Sequence, residues 1–274
     1  MRRLALVLLA LALLRPAPAQ VLGALPSEAQ AAAVVTALDG LLADHLRDGR
    51  LNLLALRGDQ RLQDALTALA EAPPSAEATA PTDTGGAPTP TAELEAAAQR
   101  AIALRKAHNL NAWLCFVLEE LADAYPLTRL TEIDGFHASN LHILGDRAQT
   151  LAELVESNLR PLADPRLLLA LADGSVSGPA WPPRAYRAGT IEEQLEAQVE
   201  ISLVQPALVQ IDRATKRLRL AQLFRWYASD FDAAGGAVAF VASHLPLEAD
   251  RDWLAAGDYA VEYLRQDWTL ELGP

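Results

Sequence analysis

A dense apolar stretch from Ala112 to Leu121 lies inside a helical pattern that runs from Ala92 to about Tyr125 and stops before Pro126. Such a stretch has to be surrounded by other protein, so the chain is expected to pack around one central buried helix. Ser27 and Gln30 have capping-box spacing and predict a helix start. Val34, Val35, Leu38, Leu41, Leu42 and Leu46 continue it, and Asp48-Gly49 ends it. His45 falls on the solvated face of that helix. Leu62, Leu66 and Leu69 repeat the pattern between Asp59 and Ala72, and the Thr150/Glu153 and Thr190/Glu193 pairs predict two more capped helices. Leu167 to Leu171 reads as a short buried strand or helix opening into the turn-rich loop Asp173 to Pro179. Leu208 to Ile211 and Leu218 to Leu220 alternate around Arg213 to Lys216 as a β-hairpin. The fold class expected is α+β: a mostly helical single domain with a small antiparallel sheet.

The two ends of the first ninety residues read differently. Arg2 and Arg3 precede the apolar run Leu4 to Leu14, and Ala17-Pro18-Ala19 supplies a cleavage signal before Gln20, which predicts a signal peptide over residues 1–19. The run is well short of the roughly 20 residues a spanning helix needs. The mature protein is therefore expected to be exported, periplasmic or extracellular, without stable membrane insertion. Removing Arg2, Arg3 and Arg15 moves the net charge from -12 to -15. Such an acidic surface repels anionic lipid and argues against nucleic acid as a partner, because phosphate contacts need clustered Lys and Arg. From Pro73 to Thr91 the chain is Pro, Ala, Thr, Ser and Gly with almost no apolar anchor, the composition of a flexible or extended segment.

The chemistry-bearing residues are few. A single cysteine excludes an intrachain disulfide, a Cys-rich zinc site and a Cys-x-x-Cys pair. Cys115 sits between Leu114 and Phe116 in the most apolar run, the setting of a packing residue and not of a reactive thiolate. His137 and His142 are five apart with Asp134 and Asp146 flanking them. Helical metal pairs are usually four apart, so two loop histidines are expected and no metal. Gly174-Ser175-Val176-Ser177-Gly178 fails as a nucleophile elbow because Val176 holds the central position. No Walker loop or G-x-G-x-x-G is present, so no nucleotide cofactor is expected. Trp226-Tyr227 and Trp268, near Asp230 and Asp267, read as buried aromatic packing before ligand contact.

Several segments in order resemble the bacterial and plant domain-of-unknown-function 547 family over about residues 38–270. They are Asp48-Gly49-Arg50-Leu51-Asn52-Leu53, Asn111-Ala112, Tyr125-Pro126, Thr150-Leu151, Leu159-Arg160-Pro161, Asp164-Pro165-Arg166, Ala185-Tyr186, Leu223 to Tyr227 with Asp230-Phe231, and Asp267 to Leu270. The resemblance implies a single domain over residues 20–272, with 73–91 as a long insertion, and a scaffold like papain or transglutaminase. It also implies a histidine where Leu168 stands, and cysteines where Asp173 and Gly178 stand. His108 and Leu110 replace two more of the family's residues, an Asn and a Tyr. A thiol enzyme needs a thiolate and a base, and neither leucine nor glycine supplies one. The expectation is an exported, non-catalytic member that binds a peptide, cell-wall fragment or envelope protein. Its candidate cleft comprises Asn111, Arg160, Arg166, Asp173, Ser175, Ser177, Tyr186, Trp226 and Asp230. The alternative is a hydrolase or transferase with relocated chemistry using Asp173, His137 or His142 with Ser175 or Ser177.

Overall fold

A computed structural model describes residues 25–71 and 91–273. The expected signal peptide, residues 1–19, lies outside the described residues, as do residues 73–90 of the expected insertion; Thr91 itself opens a helix.

Helix α1 (Glu28–His45) carries the full reciprocal cap: the Ser27 hydroxyl accepts from the Gln30 N–H and the Gln30 side chain accepts from the Ser27 N–H. It ends at His45, three residues earlier than the Asp48-Gly49 signal. Those two residues instead turn a small hairpin between β1 (Leu46–Arg47) and β2 (Arg50–Leu51), both with positive φ. The turn carries the chain through the short helix α2 (Leu53–Leu56) to α3 (Gln60–Ala70), whose N-cap is Asp59. Asp59 Oδ2 then meets His45 Nε2 at 2.8 Å, so His45 is buried and not on a solvated face. A fold-back brought by the hairpin was invisible to helical periodicity alone.

Helix α4 (Thr91–Ala124) is the central element. Leu110, Ala112, Leu114, Cys115, Val117 and Leu118 are fully enclosed, each leucine-sized group contributing about 1.5–3 kcal/mol of burial. Desolvation pushes the Cys115 thiol well above its ordinary value, which makes it an inert packing residue. After a hairpin of β3 (His142–Leu144) and β4 (Arg147–Gln149), the Thr150/Glu153 box caps α5 (Leu151–Leu154). That helix continues as a π turn over Val155–Leu159 and a 3-10 turn over Arg160–Leu162. Leu167 to Ala170 form part of a buried 3-10 helix, Pro165–Ala170.

Helix α6 (Ile191–Leu203) starts at Thr190, but not by the expected box. The Thr190 hydroxyl bonds Gln194 Oε1, and Gln194 ties the preceding loop by accepting from the Arg187 N–H and donating to the Ala185 carbonyl. The predicted hairpin forms as β5 (Val209–Asp212) and β6 (Arg217–Leu220), antiparallel. After α7 (Leu223–Trp226), α8 (Ala237–His244) and α9 (Glu248–Ala256), strand β7 (Ala260–Tyr263) joins β6 in parallel, so the largest sheet is mixed and not purely antiparallel. The described residues form one mostly helical α+β domain. No helix among them is long and apolar enough to cross a membrane.

His142 opens β3 instead of lying in a loop, stacked on Phe116 with centroids 4.5 Å apart, its Nδ1 3.1 Å from Glu119 and its Nε2 3.1 Å from Glu120 of α4. Burial alone would lower its pKa, but the two carboxylates outweigh burial and raise it to about 9. The folded-state value lies above the ordinary 6.5, so the proton-linked stability is fully present below that pH and disappears as pH rises through about 9. Urea unfolding should show a loss of roughly 1–2 kcal/mol between pH 6 and pH 10 that His142→Gln does not share.

Candidate binding cleft

The loop after the buried 3-10 helix is held from three sides. Trp113 Nε1 of α4 donates to the Ala172 carbonyl at 2.8 Å. Gly174, with φ +78°, takes a left-handed turn that L side chains rarely adopt, and a β-carbon there would sit 3.3 Å from Trp181. The C-terminal segment then staples the loop: the Val176 N–H donates to the Thr269 carbonyl, the Glu271 N–H to the Gly174 carbonyl, and the Asp267 N–H to Ser177 Oγ. The same segment is bonded on its other side to Thr128 and Leu130, which fixes where Trp268 projects.

Inside the loop, Asp173 Oδ1 accepts from both the N–H and the hydroxyl of Ser175, at 2.8 and 2.7 Å. Burial pushes the Asp173 carboxyl pKa up, against the opposing pull of those bonds. A β-carbon on Gly178 would lie only 2.1 Å from Asp173 Oδ1. Glycine is therefore required at 178 because the carboxylate occupies the space beside it.

This loop forms one wall of an open cleft of about 70 Å3, room for a few waters or one side chain. Leu168, Asp173 and Gly178 all line it. The positions at which the resemblance implies a histidine and two cysteines thus converge on a single cleft. The opposite walls are aromatic. Trp113, His137, Trp268 and Trp226 form a continuous arc with successive centroid separations of 6.4, 6.0 and 6.1 Å, and Tyr227 completes the lining. Desolvation lowers the His137 pKa to about 4, so its imidazole is neutral near pH 7. No hydrogen bond joins the His137 ring to a serine or carboxylate among the described residues.

Of the nine candidate residues, the structure brings Asp173, Ser177 and Trp226 into this cleft. Ser175 is turned away from it onto Asp173. Arg160 and Asp230 lie in a neighbouring cavity of about 220 Å3, joined by two bonds of 2.8 Å; the two cavities share Leu168 and Leu171 as common wall. Arg166 belongs to a structural ion cluster with Asp164, Glu192 and the buried Lys106. Asn111 and Tyr186 are elsewhere. Asn111 donates to the Tyr186 carbonyl at 2.8 Å and accepts from its N–H at 2.9 Å, beside a groove between α1 and α4.

Trp113 and Gln266 line the cleft without having stood out in the sequence; Tyr227 and Trp268, read there as packing before ligand contact, line it as well, and so does His137, read there as a loop residue or an enzyme base. Trp113 sits in the run that marked the core, so only its contacts separate it from ordinary packing. The Asp267-Trp268-Thr269-Leu270 segment did carry a signal, as the end of the resemblance. Among the described residues, no group of three or more His, Cys, Asp or Glu side chains is arranged to hold a metal ion. No family model, curated protein or solved structure matches this chain.

Proposed function

We propose that this chain is an exported, non-catalytic binding protein on a thiol-hydrolase-like scaffold of the 547 type, and that its aromatic cleft takes one side-chain-sized group of a peptide, cell-wall fragment or protein partner. One observation carries this reading. Asp173 is bonded to Ser175 and Ser177 to Asp267, and among the described residues neither serine is hydrogen-bonded to a histidine that could serve as its base. The aromatic arc supports binding, since large rigid rings supply contact area at low entropic cost. Export rests on the Arg2-Arg3 flank, the Leu4 to Leu14 run and the Ala17-Pro18-Ala19 signal.

A second reading has one observation in its favour: His137, Asp173 and Ser177 line the same cleft, the raw material for a hydrolase or transferase with relocated chemistry. Profiling the mature protein against ester, amide and peptide panels separates the two. Binding predicts no turnover above the uncatalysed rate, whereas robust turnover abolished by Asp173→Ala overturns the non-catalytic reading.

A further inference from the structure

We propose that the group the cleft receives is a methylated ammonium, held over the faces of Trp113, Trp226 and Trp268 and neutralised by the Asp173 carboxylate. This rests on the reading of the cleft as a binding site and names the chemistry it selects. Two independent features point to it. The walls are an arc of electron-rich rings, whose negative faces attract cations and most of all those that shed little hydration. At its base lies a carboxylate, 7% exposed, with no ion-pair partner among the described residues and only Ser175 bonded to it.

A buried carboxylate is normally paired, because an isolated charge in a low-dielectric site is costly. The neighbouring Arg160 does not pair with it: its guanidinium is engaged by Glu156 and Asp230 and covers the Tyr227 ring at 5.6 Å. Burial accordingly pushes the Asp173 carboxyl pKa up, and a ligand cation seated beside it favours the ionised form and supplies the missing partner. Methylation follows from the walls: a primary ammonium would give up its hydration largely for aromatic carbon that accepts no strong hydrogen bond, whereas a methylated nitrogen has few or no donors to lose. His137 is neutral near pH 7 and does not repel it.

The test is calorimetric titration of the full mature chain with choline, with N-acetyl-trimethyllysine methylamide, and with 3,3-dimethylbutan-1-ol, the uncharged carbon isostere of choline. At least one cation should bind saturably, about tenfold or more tighter than the isostere. Choline alone binding identifies a free quaternary amine as the source, and the lysine derivative alone identifies a peptide-borne group. Asp173→Asn keeps an oxygen acceptor for Ser175 and should weaken the cation about tenfold while leaving the isostere unchanged. Should that variant melt early, Trp226→Leu provides the second comparison and should also weaken the cation. Equal binding of the isostere, or no binding of either cation, overturns the inference. If neutral peptides still perturb the cleft tryptophans in that case, only the ammonium assignment fails and the binding reading stands.

Discussion

Replacing Gly178 with alanine should cost about 3 kcal/mol and lower the melting temperature by roughly 6–12 °C, a large effect for one methyl group on a loop. The added β-carbon would fall 2.1 Å from Asp173 Oδ1, 3.0 Å from its Cγ and 3.1 Å from Ser175 Oγ. Asp173 is short, buried and bonded twice to Ser175, so it cannot swing aside without abandoning both bonds. Removing the obstacle should remove the penalty. In Asp173→Gly/Gly178→Ala the two costs should fall well short of additive, the mark of two positions that share one space. A neutral Gly178→Ala, or strict additivity in the double variant, would contradict the packing described for the loop.

Asn111→Ala should cost a similar amount, about 3 kcal/mol, read as a lower urea midpoint at unchanged slope. Its amide closes a two-bond ring with the backbone of Tyr186, 75 residues away, in a place sealed from water. Truncation leaves a buried N–H and a buried carbonyl without partners, which is more costly than losing the bonds alone. Because Asn111 stands apart from the cleft, ligand binding by the surviving folded fraction should be unchanged. A loss of binding at intact stability would instead return Asn111 to the site.

Local chemistry was legible where a residue's role is decided by its near neighbours. The Ser27 and Thr150 boxes, the helix beginning near Asp59, the hairpin around Arg213 to Lys216 and the buried helix carrying Cys115 all follow from spacing and apolarity. Thr190 failed because Gln194, one residue beyond the box position, was better placed to tie the Ala185–Arg187 loop. His45 and His142 failed because partners from other segments, Asp59 for one and Glu119 and Glu120 for the other, set their environments.

The candidate site was legible as a loop and not as a constellation. Motif order along the chain carries no distance, so Asn111, Tyr186, Arg160, Asp230 and Arg166 were grouped with residues that the fold separates from them. Conversely, the aromatic arc draws Trp113 from α4, His137 from a turn, Trp226 from α7 and Trp268 from the C-terminal staple. The bonds that thread 267–271 between the 128–130 and 174–177 segments bring Trp268 to the other rings.

The most direct measurement is a set of indole N–H resonances. The chain has five tryptophans, of which Trp113, Trp226 and Trp268 line the cleft while Trp181 and Trp253 lie outside it and serve as internal controls. Titrating the protein with choline, with N-acetyl-trimethyllysine methylamide, with a soluble cell-wall digest and with a mixed tripeptide pool should, for at least one of them, shift the three cleft indoles saturably and leave the two controls in place. Ala152→Trp, which fills the cleft, should abolish the response. Shifts confined to Trp181 and Trp253, or no saturable shift with any of the four, would contradict the account of this cleft as a binding site.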